Sequence, residues 1–325
     1  MTRLILPGRS VAHALVRDEH IVPRFYLNKF ADSDQRFFLY TKGRSPVQKS
    51  TRSQSTERDF FEYTINGEAT ENRYERWFQR IETDAADIYN LIESGSNLTQ
   101  VQEGAWAFFL ATLFLRSRKV REQIGPGLMS KVLSEIFFGD DQIRDAQCEL
   151  LRKGVFVYAD HLKVMVNQIK DEMMAPAFGH LAGIEENARM LAEQIFKKRW
   201  FVFHAAPGTA FVTSDCPVQT MNLGLAGENC ILGSGFGNSN TAIVLPLSPT
   251  RLFLAGPQEM SCRSNLLGEK NVAAFNVNTV KFADRAAYAS YKSAELQALV
   301  DREINQVVFG QNSFIPVEKP NIASA

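Results

Sequence analysis

Between residues 20 and 30 the chain reads HIVPRFYLNKF, which threads His20, Arg24, Tyr26 and Asn28 through Ile21, Val22, Phe25, Leu27 and Phe30. Polar side chains set in so apolar a frame enter a partly buried setting in which each needs a hydrogen-bonding partner. His20 is the residue there best suited to chemistry, because imidazole exchanges protons near neutral pH and also ligates metals. The plain alternative is a core histidine bonded to backbone. A second candidate is Glu82, which follows Ile81 and lies one turn beyond Phe78 on an amphipathic segment, so its carboxylate faces inward. A buried acid there acquires a shifted pKa suited to proton transfer or metal binding, or it pairs with an arginine. Arg116 closes the apolar run FLATLFLR and is the natural partner, so an Arg–Glu structural clamp is the favoured reading of that pair.

A third polar cluster is TSDCPV at 213–218, placed where a strand should give way to a proline-bearing turn. Asp215 there either builds an Asx turn or serves as a site acid. Ser214 lacks a G-x-S-x-G elbow and Cys216 lacks any activating neighbour in sequence, so neither reads as a covalent nucleophile. Taken together, His20, Glu82 and Asp215 are the candidate catalytic set, with Arg24, Tyr26, Asn28, Arg116 and Ser214 around them as substrate-binding groups. If the three converged, the acids and imidazole would hold a hard divalent cation as cofactor while the arginines neutralised phosphate oxygens, a composition suited to phosphoester cleavage. No compact ligand motif such as H-E-x-x-H supports that convergence.

The same residues carry a resemblance. H-x-x-P-x-x-Y-L-x-x-F at 20–30, DFFEY at 59–63, Ile81–Glu82, FLATLFLR ending at Arg116, TSDCPV, PLSP at 246–249, Asn276 and RAAYAS at 285–290 occur in the order and spacing of domain of unknown function 4238. The chain resembles that family over nearly its whole length. The resemblance implies a shared fold and a bacterial setting; it supplies no catalytic roles.

Composition sets further bounds. The chain has 325 residues, 45% hydrophobic and 22% charged, with 36 basic and 36 acidic side chains. Zero formal net charge provides no bulk field to attract nucleic acid or an anionic membrane, so contact with a polyanion must come from local patches. One such patch is the segment 42–58, basic through Lys42, Arg44, Lys49, Arg52 and Arg58 against Glu57, which offers a grip for nucleic acid or nucleotide or is merely a solvated loop. The four cysteines show no C-x-x-C spacing, which argues against structural zinc and a disulfide framework and points to a reducing cytoplasm. The glycine-rich run GSGFGNSN at 233–240 lacks the G-K-[ST] of a phosphate loop and reads as a surface loop. No apolar run reaches the roughly 20 residues of a membrane span, and no membrane partner is expected.

Local patterns place these residues on helices and strands. RFFLYT at 36–41 is a strand, FFEYTI at 60–65 another, and helical spacing from Tyr74 through Phe78 and Ile88 to Ile92 gives a long helix ending at Gly95. Thr99 and Gln102 form a capping box for a strongly apolar helix. Further helices are expected near 128–138, 141–153, 158–174 and 180–198. WFVFH, a Pro-Gly turn and AFVT suggest a β-hairpin; AIVLPL and RLFLA follow as strands, then a helix over 271–283, the strand AAYASY and a terminal helix. The expected fold is α+β: a helix-rich N-terminal two-thirds packed on one largely antiparallel sheet formed mainly by the C-terminal third, with some strands from the N-terminal end. It is read as a single domain over 1–325, or as a helical region, 70–198, beside a strand-rich region made of 1–69 and 199–318. Two function classes stay open: a metal-dependent hydrolase such as a phosphoesterase or nuclease, and a non-catalytic binding or scaffold protein whose polar cluster is a clamp.

Overall fold

The computed structural model describes residues 18–58, 60–61, 64–65, 68–69, 73–124, 140–174, 181, 183–223, 229–262, 264–309 and 315–318. The predicted helix at 128–138 lies outside them. Strand β1 (Asp18–His20) leads into the one-turn helix α1 (Arg24–Leu27), continued by a 3-10 turn at Asn28–Phe30. Strands β2 (Arg36–Thr41) and β3 (Val47–Ser50) form a hairpin, and β4 (Thr56–Arg58) returns antiparallel to β1 with His20 opposite Thr56. Short strands β5 (Thr64–Ile65) and β6 (Glu68–Ala69) pair with each other.

The long helix α2 (Arg73–Ser94) buries Tyr74, Phe78, Ala85, Ile88, Tyr89 and Ile92, the three-to-four spacing of one apolar stripe. It stops at Gly95, whose φ of +74° permits the left-handed turn that lets Ser96 donate back to the Leu91 carbonyl. Helix α3 (Gln100–Leu115) starts from Thr99, where both bonds of the predicted capping box form, and buries Trp106, Phe109, Leu110 and Leu113 through its middle. Helices α4 (Arg118–Gln123), α5 (Asp140–Arg152), α6 (Ala159–Met174) and α7 (Ile184–Phe196) follow.

The strand-rich region contains β7 (Arg199–Ala205), β8 (Thr213–Ser214), β9 (Gln219–Asn222), β10 (Asn229–Leu232), β11 (Thr241–Ser248), β12 (Arg251–Gly256) and β13 (Leu266–Leu267). After them come α8 (Glu269–Phe282), β14 (Ala286–Ala289), α9 (Ala294–Glu303) and β15 (Ile315–Glu318). The architecture is α+β, with helices mostly towards the N-terminus and strands mostly towards the C-terminus. Instead of one sheet there are two larger ones. A seven-stranded sheet runs β13-β7-β12-β11-β9-β10-β15, antiparallel except at β13–β7, and a four-stranded antiparallel sheet runs β3-β2-β14-β8.

The expected hairpin between WFVFH and AFVT does not form. β7 pairs with β12 and β13, whereas β8 joins β14 in the other sheet. The Pro-Gly turn reverses the chain locally, but β7 gains more from laying Trp200 against Phe253, edge to face at 5.3 Å, than from a neighbour of two residues. One continuous apolar cluster takes Tyr26, Phe78, Trp106, Ile195, Leu245 and Phe253 from α1, α2, α3, α7 and the seven-stranded sheet. Among the described residues, no helix is long and apolar enough to cross a membrane.

Candidate functional site

Strand β1 carries His20 to the edge of this core, and the strand is held in place by the buried Glu19, whose Oε2 accepts the Phe61 amide at 2.5 Å. Arg116, the residue that ends α3, comes up beneath it. Its Nε donates to the Ile21 carbonyl and its Nη1 to Glu82 Oε1, each at 2.6 Å, while the guanidinium lies 5.2 Å from the centre of the Phe78 ring. The Arg116–Glu82 clamp expected from sequence is therefore made, with Arg116 only 2% exposed and Glu82 at the rim. A buried guanidinium survives only when paired in this way.

The half-buried imidazole of His20 lies in the field of this pair and of Arg24. Burial lowers its pKa from the ordinary 6.5; Glu82 opposes that shift, Arg116 and Arg24 reinforce it, and a bond to the Arg52 backbone opposes it again. The ring is neutral at pH 7 and can accept a proton. Glu75, seven residues before Glu82 on the same side of α2, belongs to the group too: burial raises its pKa and Arg116 counteracts this. Sequence reasoning missed Glu75, although two helical turns separate it from Glu82 and place both on one face.

Three polar atoms in this group are buried with no hydrogen-bond partner among the described residues: His20 Nε2, Arg24 Nε and Arg116 Nη2. Arg24 is otherwise anchored by Nη2, which donates to Gln35 Oε1 at 2.7 Å. Buried polar atoms left without a partner, donors on the two arginines and a ring nitrogen on His20, cost free energy.

The remaining candidates hold the structure together. The buried Tyr26 hydroxyl contacts Thr213 Oγ1 at 2.6 Å and donates to the Pro246 carbonyl at 2.7 Å, fastening α1 to both larger sheets. Asn28 Oδ1 accepts from Thr51 Oγ1, and Ser214 Oγ accepts from the Cys216 amide.

Asp215 sits in a separate network. Its carboxylate accepts backbone amides from Asp284, Arg285 and Ala286 at 2.9, 2.7 and 3.1 Å, a long-range cap on the entry to β14 in place of the Asx turn. Burial and then Asp284 push its pKa up to about 6, against the pull of those amides and of Lys119. Lys119, itself buried, donates to the carbonyls of Phe282 and Ala283 at the end of α8. The nearby Cys216 thiol is also pushed upward by burial, the opposite of activation.

The joint His20–Glu82–Asp215 metal centre is thus not assembled. Among the described residues, no three His, Cys, Asp or Glu side chains are grouped to hold a metal ion. His20, Arg24, Glu82 and Arg116 do come together, and that arrangement can neutralise an anion and move a proton.

No curated protein and no solved structure matches this sequence. A family model described as a protein of unknown function (DUF4238) matches residues 19–293, from the strand that carries His20 to the start of the last long helix. The chain belongs to the DUF4238 family.

Proposed function

We propose that the His20 centre binds and hydrolyses a phosphoester, with Arg24 and Arg116 neutralising the phosphoryl oxygens and His20 as the general base. The observation that carries this reading is the set of three buried polar atoms without a hydrogen-bond partner among the described residues, His20 Nε2, Arg24 Nε and Arg116 Nη2. Phosphoryl oxygens match guanidinium donors in geometry and charge. Neutral imidazole would take the proton of a water attacking phosphorus; the ester P–O bond breaks, and the proton passes on to the departing alkoxide. Glu82 orients Arg116, and its charge opposes the lowering of the His20 pKa by burial.

A nucleic-acid or nucleotide substrate is favoured by the neighbourhood. Lys42, Arg44, Lys49 and Arg52 are exposed on the chain that runs from β2 through β3 to β4, the strand paired with His20, so a polyanion lying along it would end at the imidazole. A second reading, a purely structural clamp, is favoured by the occupied Nε and Nη1 of Arg116.

The deciding experiment is hydrolysis of nitrophenyl phosphate, bis-nitrophenyl phosphate and a short single-stranded RNA. His20→Gln should lower turnover by at least about 10²-fold with the melting temperature held, and Arg24→Gln should act mainly on KM. Turnover indifferent to His20→Gln, or none on any substrate, removes the hydrolase and leaves the clamp.

A further inference from the structure

A cavity of about 510 Å³ opens at the other end of α2, and neither His20, Arg24, Glu82 nor Arg116 lines it. That volume falls in the range of small-molecule sites, roughly 300–1,000 Å³. One wall is the face of the seven-stranded sheet that carries Trp200, Val202, His204, Arg251 and Phe253. Register explains why they share it. Arg251 stands directly across from His204 and Phe253 from Val202, and side chains alternate faces along each strand. The opposite wall is the turn from α2 to α3, with Ser96 and Asn97 supplying polar atoms.

Two properties of this wall point to a ligand. Trp200 Nε1 already donates to the Ile195 carbonyl at 3.1 Å and its ring stands edge to face on Phe253, so the indole is fixed and what it can add to the cavity is aromatic surface. The guanidinium of Arg251, by contrast, makes no hydrogen bond or ion pair among the described residues, and the exposed His204 is its cross-strand neighbour. The acid nearest by on α2, Glu93, is occupied by Lys29 at 2.9 Å. Asn265, whose carbonyl accepts the His204 amide at 2.6 Å, also lines the cavity, as does Glu103 of α3 on the side away from Arg251's own strand. An aromatic floor, amide and hydroxyl groups for a heteroatom-rich edge, and one unpaired guanidinium beside an imidazole form a consistent set.

We propose that this cavity is a second ligand site, which takes a planar ring joined to an anionic head group, the ring against Trp200 and the head group on Arg251 and His204. The site is independent of the chemistry at His20. Isothermal titration calorimetry with adenosine monophosphate and, separately, indole-3-acetate tests it and tells a phosphate head group from a carboxylate one. At least one probe should bind with a Kd below about 1 mM and weaken by about tenfold or more in Arg251→Gln and in His204→Gln. Both replaced side chains reach solvent, and thermal melts confirm that the variants fold. If neither probe binds, or if binding is indifferent to Arg251→Gln and His204→Gln, the proposal is overturned.

Discussion

At the scale of single residues, Arg116 does most to join sequence to site. It is nearly sealed, and its fork spans two elements, the Ile21 carbonyl after β1 and the Glu82 carboxylate on α2. A lysine ammonium has the charge but not the planar fork, so it can satisfy one of these acceptors and leaves the other buried without its donor. Arg116→Lys should therefore destabilise the fold by about 1.5–3 kcal/mol in urea titrations, the range for losing a hydrogen bond to a charged group. An unchanged midpoint would mean that Glu82 and Ile21 find water instead and that the clamp is ornamental. This pairing was legible in sequence because an arginine at the end of an apolar helix has few places to go. Glu75 was not, since an acid on a helix face has no signature of the burial that makes it matter.

At the scale of elements, caps, stops and several single strands were read correctly, whereas the hairpin at β7 and most long-range strand partners were not. The capping box at Thr99, the strand at 36–41 and the stop at Gly95 depend on neighbours within a few residues, and all three stand in the structure. Pairings that span long stretches of chain leave no local trace: β7 prefers β12, and Asp215 caps amides some seventy positions away. The same holds for Tyr26, whose apolar frame marked it as inward-facing but whose partners, Thr213 and Pro246, belong to strands of different sheets. Because one hydroxyl serves both, Tyr26→Phe strands a buried carbonyl and a buried threonine at once. The expected cost is about 1–3 kcal/mol, read as a lower denaturation midpoint with unchanged slope. A loss near zero would show that α1 is held by packing alone.

At the scale of the whole molecule, Asp215 and His20 respond to acid in opposite directions. Asp215 has its pKa raised from 3.8 to about 6, so the folded state binds its proton more tightly than the unfolded chain does. The stabilisation that follows is complete below the unfolded value and is lost as pH rises through about 6. His20, lowered from 6.5, behaves inversely: its contribution is present above 6.5 and is lost as pH falls through the folded value. Glu75 and Asp284 are both raised by burial and add slopes of the same sign as Asp215, so the wild-type curve alone cannot separate the contributions. Differences between variants can. The melting temperature of Asp215→Asn, which also loses hydrogen bonds at every pH, should approach that of wild type as pH rises from 4 to about 6, because only the wild type surrenders proton-linked stability there. For His20→Gln the gap should move in favour of the variant as pH falls below 6.5. A difference curve for Asp215→Asn that stays flat over this range would mean that the β14 cap is held by a carboxylate as solvated as any on the surface, and that Asp215, Asp284 and Lys119 do not act as one buried network.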